Sequence, residues 1–152
     1  MGAVIVNQEI HDTFMDTETP EYMIEFPHGY TYSGHPLACA AGLATLDLLE
    51  KENSFEQVAS MAPVLEDAIH SLKGAKHVID IRNYGSAAGV TLASAPGEPA
   101  KRPFEVAMKC WEKGFYVRYG GDTLQLGLPF STTPTEIDSI VNAIGEAINE
   151  ID

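Results

Sequence analysis

Hydrophobic and polar positions change period several times along the chain, and each change marks an element. Residues 1–7, MGAVIVN, are apolar and β-branched and stop abruptly at polar residues, the pattern of a short buried strand. Gln8 to Glu25 is polar and acidic, with one short helix expected around Ile10 to Met15. Phe26 to His35, FPHGYTYSGH, is a loop by its Gly and Pro content, yet rich in aromatics and hydroxyls. Pro36 suits a first helical turn. The run from there to about Lys51 is apolar on more than one face, which predicts a well-buried helix.

Asn53 and Glu56 resemble a capping box opening the next helix, with Val58, Met61, Leu65, Ile69 and Leu72 as its apolar stripe. Pro63 inside that stripe predicts a bend or break, and Gly74 a stop. Val78 to Asn83 alternates as a half-buried strand does, and Gly89 to Ala93 reads as its partner. After a Pro- and Gly-rich loop, Pro103 opens a helix to about Lys113, closed by Gly114. Phe115 to Tyr119 and Thr123 to Leu128 are strands joined by Gly120, Gly121 and Asp122. Thr133, Pro134 and Glu136 then spell a capping box ahead of a helical period running from Ile137 to Ile151. Helices alternating with locally paired strands predict an α+β fold with a small, mostly antiparallel sheet. Its start is placed near Pro36, so residues 1–35 read as part of something else.

At 152 residues and 45% hydrophobic content, the chain can bury one ordinary core. A formal net charge of −13 argues against nucleic acid and against anionic membrane surfaces as partners. The longest apolar stretch, Pro36 to Leu49, is interrupted by Asp47 and is shorter than the roughly 20 residues a membrane helix needs. Cys39 and Cys110 are far apart and outside any Cys-x-x-Cys motif, which fits free thiols in a reducing, cytoplasmic setting.

No dinucleotide fingerprint, phosphate loop or nucleophile elbow occurs. His35 and Cys39 are four apart, but one pair falls short of the usual four ligands, and no metal is expected. Two segments carry chemistry. In His28 to Pro36, hydroxyls, backbone amides and a helix N-terminus converge, which suits a phosphate; a plain helix-capping loop explains the same residues. In Tyr116 to Asp122, Arg118 lies among tyrosines beside a Gly-Gly turn, which suits a carboxylate; a surface arginine paired with Asp122 is the alternative.

Taken together, HGYTYSGHPLACAAGLATLDLLEKE resembles the junction signature of class III aminotransferases. RPFEVAMKCWEKGFYVRYGGDTLQLGLPF and IRNYGSAAGVTLA are similar to its omega-amino acid–pyruvate, or β-alanine–pyruvate, branch. The resemblance implies a fold-type I architecture, with residues 1–35 a remnant of the large cofactor domain and 36–152 the connecting helix and small C-terminal domain. It implies pyridoxal 5'-phosphate as cofactor, with Thr31 donating to the cofactor phosphate of the neighbouring subunit and Tyr30 lining the same site. It implies that Arg118 binds the carboxylate of the amino acid or keto acid, and that the enzyme is a homodimer. In the family, the cofactor lysine precedes the MGAV-like strand. Lys51, Lys73, Lys76, Lys101, Lys109 and Lys113 do not match its context, nor are the family's glycine-rich phosphate loop, ring-stacking aromatic and acidic pyridine partner found. The expectation is therefore a C-terminal portion with no catalytic residue of its own, inactive alone, exposing apolar surface at residues 1–6 and along the Pro36 helix. The rival expectation is a free-standing α+β module that binds a carboxylate through Arg118.

Overall fold

The first regular element is a helix rather than a strand. In the computed structural model, which describes residues 2–24 and 26–152, α1 spans Gln8–Met15, and the Asn7 side chain caps it by accepting the Ile10 N–H at 3.0 Å. Residues 2–7 are irregular, with Val4 and Ile5 more than nine-tenths exposed. The expected strand does not form there, because no neighbouring strand among the described residues takes up its backbone groups. Met1 and Glu25, at the ends of two expected segments, lie outside the described residues.

Backbone contacts divide the chain into two units, Met1–Glu52 and Asn53–Asp152. In the first unit, α2 spans Pro36–Lys51, the bounds its sequence predicts, with Pro36 at the first turn. Its expected burial is not found: α2 buries no residue, and Leu37, Leu43, Leu46 and Leu48 are all exposed. Apolar residues on several faces identify a helix made to be surrounded, but this unit supplies nothing that surrounds it. The surface exposure expected for residues 1–6 and the Pro36 helix is thus present in residues 2–6 and α2.

The second unit holds the core. α3 (Ser54–His70) leads into β1 (Val78–Tyr84) and β2 (Ala87–Leu92). α4 (Lys101–Glu112), β3 (Arg118–Gly120), β4 (Thr123–Gly127) and α5 (Pro134–Asn149) follow. The strands form one sheet in the order β1-β2-β4-β3, antiparallel throughout, as the α+β expectation required. α3 packs on β1 and β2, α4 on β3 and β4, and α5 against both helices. Leu124 and Leu126 of β4 and Val90 and Leu92 of β2 face inward, onto Leu65, Ile69, Val106, Cys110, Ile144 and Ile148. That leaves the other sheet face open, carrying the alternate residues Thr123, Gln125 and Gly127 of β4.

Capping is where the structure separates good sequence signals from poor ones. The α5 box forms in full: Thr133 N–H donates to Glu136 Oε2 at 2.8 Å, and the Thr133 hydroxyl accepts from the Glu136 N–H. That backbone donation is the main reason Glu136 sits below the ordinary carboxylate pKa. At α3 the expected box does not form, because Asn53 takes a left-handed conformation and makes no side-chain cap bond. Pro63 does not break α3 either. Pro63 and Ala59, whose carbonyl it leaves without a helical donor, are both exposed, while Leu65 and Ile69 anchor the opposite face in the core.

Candidate functional site

Two places carry the candidate chemistry, one in each unit. In the first unit, Thr31 to Gly34 form a turn immediately before α2. The Tyr30 N–H donates to Ser33 Oγ at 3.0 Å, and the Ser33 N–H returns to the Tyr30 carbonyl at 2.9 Å. Gly34, at φ +71°, supplies the left-handed residue that lets the chain turn into the helix. A string of ring contacts runs from Phe14 through Phe26 and His28 to Tyr30, tying the loop back to α1. Tyr30 and Thr31 are exposed, so the predicted pair is brought together at one turn. The N-cap, His35, makes no side-chain cap bond, so the first amides of α2 are left open to an anion. Exposed hydroxyls beside an uncapped helix start suit an anion.

In the second unit, the β3–β4 ladder ends at the pair Arg118↔Gln125. A longer strand over Phe115 to Tyr119 is expected from the sequence, but residues 115–117 leave the ladder. Val117 stays buried in the core, while the chain before it diverges from β4. The divergence opens a cleft of about 550 Å³ lined by Tyr116, Arg118, Gln125, Leu128, Pro129 and Ile140, among others, with Arg118 as its one charged lining residue.

The Arg118 guanidinium has no hydrogen-bond or ion-pair partner among the described residues. The alternative pairing with Asp122 is ruled out by where Asp122 points. One carboxylate oxygen accepts the Ser94 hydroxyl, and the other accepts the Ala100 N–H at 2.8 Å. Those two donors hold Asp122 below the ordinary carboxylate pKa. They also pin the 94–100 loop, whose Ala100 is strained at φ +64°, to the β3–β4 turn. The other guanidinium on the open face, Arg82, is occupied: Nη1 donates to Asp80 Oδ2 at 2.6 Å and to Thr91 Oγ1 at 2.9 Å. Arg118 is the cation of this face left available to a ligand.

Gln125 was not a sequence candidate. Its one signal was the alternation Thr-Leu-Gln-Leu-Gly, which sets it on the solvent side between two buried leucines. No group of three His, Cys, Asp or Glu residues suited to a metal occurs among the described residues. Likewise, no helix among them is long and apolar enough to cross a membrane. Both cysteines are free; Cys110 is buried, which pushes its thiol up to about 11.

An unpartnered arginine lining a strand-edge cleft suits a carboxylate, and a hydroxyl-bearing turn ahead of a helix suits a phosphate. The chain matches the class-III aminotransferase family over residues 1–148 and belongs to it. It is 56% identical over 151 residues to an omega-amino acid–pyruvate aminotransferase of Pseudomonas putida, covering 99% of this chain. It is equally similar, 56% over the same length, to a β-alanine–pyruvate aminotransferase of Pseudomonas aeruginosa. It spans 34% of the length of each. Among solved structures, a Bacillus anthracis aminotransferase superposes with a TM-score of 0.81 at 28% identity, over 96% of this chain and 34% of that one. An adenosylmethionine-8-amino-7-oxononanoate aminotransferase of Methanocaldococcus jannaschii gives a TM-score of 0.74 at 37% identity, over 84% and 30%. Class-III aminotransferases depend on pyridoxal 5'-phosphate.

Proposed function

We propose that this chain works as the C-terminal third of an aminotransferase that moves an amino group from an omega-amino acid or amine, β-alanine-like, to pyruvate. The observation that carries the reading is the unpartnered Arg118 guanidinium, the one charged group lining its cleft. A planar fork of donors matches a carboxylate in two parallel hydrogen bonds, and every amino acid or keto acid in such an exchange presents one. Arg118 then fixes the acid end, so that the carbon bearing nitrogen or oxygen is held in one orientation. Tyr30 and Thr31 take the cofactor phosphate, with Thr31 reaching the neighbouring subunit's cofactor in a homodimer. The α2 amides add the field of a helix start. When bound, pyridoxal phosphate supplies the electron sink that the side chains of this chain lack.

In this reading, residues 1–35 belong to a large cofactor domain and 36–152 to the connecting helix and small domain, with the protein cytoplasmic. The six lysines here stand outside the cofactor-lysine context, so the chain alone does not transaminate. The purified chain, incubated with pyridoxal phosphate, β-alanine and pyruvate, is expected to form no alanine. Borohydride reduction followed by peptide mapping is expected to leave no single labelled lysine. Alanine formation together with one saturably labelled lysine refutes this division of labour.

A second reading has support from the second unit, whose core and Arg118 cleft are both contained within Asn53–Asp152. A free-standing carboxylate-binding module needs nothing more. Saturable pyruvate binding by the chain, with no acceleration when the rest of the enzyme is added in trans, favours it.

A further inference from the structure

Arg118 does not stand alone at the end of the ladder. Gln125 is its direct cross-strand partner and lines the same cleft. Direct partners share a face, with their Cβ atoms about 5 Å apart. Leu124 and Leu126 on either side of Gln125 are buried, so Gln125 and Arg118 both project from the open face. Like the guanidinium, the Gln125 amide has no partner among the described residues. Two unpartnered groups, one charged and one neutral, thus share the open face and line the same cleft.

Gly120 explains how the amide is accommodated. A Cβ at Gly120 would lie 2.7 Å from Gln125 Nε2, closer than side chains tolerate. The amide therefore rests over bare backbone, on the strand that carries Arg118, and any side chain at 120 would displace it. The arrangement is unlike that at Gly89 on the same face. There a Cβ would meet the Arg82 guanidinium carbon at 3.5 Å, but Arg82 is already spent on Asp80 and Thr91.

We propose that Gln125 is a specificity-determining residue of the carboxylate site: its amide donates to the carboxylate that Arg118 pairs with, and Gly120 keeps open the space the amide needs. The proposal rests on the carboxylate reading of Arg118. With a guanidinium alone, the cleft favours any anion. A second donor beside it adds a hydrogen bond that is stronger to a charged carboxylate oxygen than to the carbonyl of a neutral analogue of the same size.

The test is an NMR titration of the ¹⁵N-labelled chain with pyruvate and, separately, with pyruvamide. The Gln125 side-chain amide signals are expected to shift with pyruvate and not with pyruvamide. Gln125→Ala is expected to weaken pyruvate about tenfold, the size of one hydrogen bond to a charged group, and to leave pyruvamide unaffected. Gly120→Ala is expected to shift the Gln125 amide signals and to weaken pyruvate less than Gln125→Ala, because the end of a flexible glutamine can move aside. The spectrum of each variant reports whether it remains folded. Gln125→Glu, which keeps the shape but offers only acceptors, is expected to bind pyruvate more weakly than Gln125→Ala. If Arg118→Ala loses pyruvate while Gln125→Ala titrates like the parent chain, the Arg118 reading stands and the Gln125 proposal is overturned. Equal weakening of pyruvate and pyruvamide by Gln125→Ala also overturns it, by showing a structural role only. Failure of the parent chain to bind pyruvate, or unchanged binding by Arg118→Ala, removes both.

Discussion

Pro63→Ala should stabilise the second unit, and the size of the gain follows from where Pro63 sits. It is the tenth residue of the 17-residue α3. Proline there deletes one helical hydrogen bond and crowds the Ala59 carbonyl, at a cost of about 3 kcal/mol relative to alanine in a helix interior. Replacement also loosens the unfolded chain, returning roughly 0.4–1 kcal/mol of entropy to it. Pro63 is exposed, so no core contact is lost on replacement. The difference is a gain of about 2 kcal/mol. For a unit the size of Asn53–Asp152 that is a rise of roughly 8–16 °C in the unfolding midpoint. Trp111 is the one tryptophan of the chain and lies in α4, so its fluorescence during urea and thermal unfolding reports on this unit alone. An unchanged or lower midpoint would refute the reasoning. It would mean that the Ala59 carbonyl is fully compensated by solvent, or that proline stabilises α3 by a contact its exposure does not reveal.

Three further outcomes are expected. Ile144→Ala removes a fully buried side chain from the centre of α5 and should cost about 2–5 kcal/mol, read from the same unfolding curves. Asp122 has its folded pKa lowered by Ser94 and Ala100, so its contribution is present above the ordinary carboxylate pKa and is lost as pH falls through the lowered one. Asp122→Asn should therefore flatten that acid limb of the stability–pH profile, and an unchanged limb would count against the two hydrogen bonds. With its thiol pushed up to about 11, Cys110 should resist iodoacetamide near neutral pH while Cys39 reacts, and should become reactive only in denaturant. Mass spectrometry of the two peptides decides.

What the sequence made legible was local and self-contained. The α5 cap was readable because Thr133, Pro134 and Glu136 act within one turn, and the bounds of α2 because Pro36 and the apolar run need no partner to define them. The strand pairs were readable because β1–β2 and β3–β4 are each close in sequence. The misses all depended on neighbours. Burial of α2 and a strand at residues 2–7 need surfaces and hydrogen-bond partners that the periodicity of a segment cannot supply. Asn53 looked like a cap, but the entry into α3 placed it in a left-handed conformation. Tyr30, Thr31 and Arg118 could be named as candidates from the sequence, but the shape of the cleft that Arg118 lines could not. The cleft exists because residues 115–117 leave the ladder although their composition favours a strand, and Gln125 gains importance only through its register opposite Arg118.

The central claim, that Arg118 is a free carboxylate-binding cation, is tested most directly by calorimetric titration of pyruvate into this chain and into Arg118→Ala. The account predicts saturable binding to the parent chain that weakens as salt is raised and is lost in the variant. Equal binding by both proteins, or none by the parent chain, would contradict it.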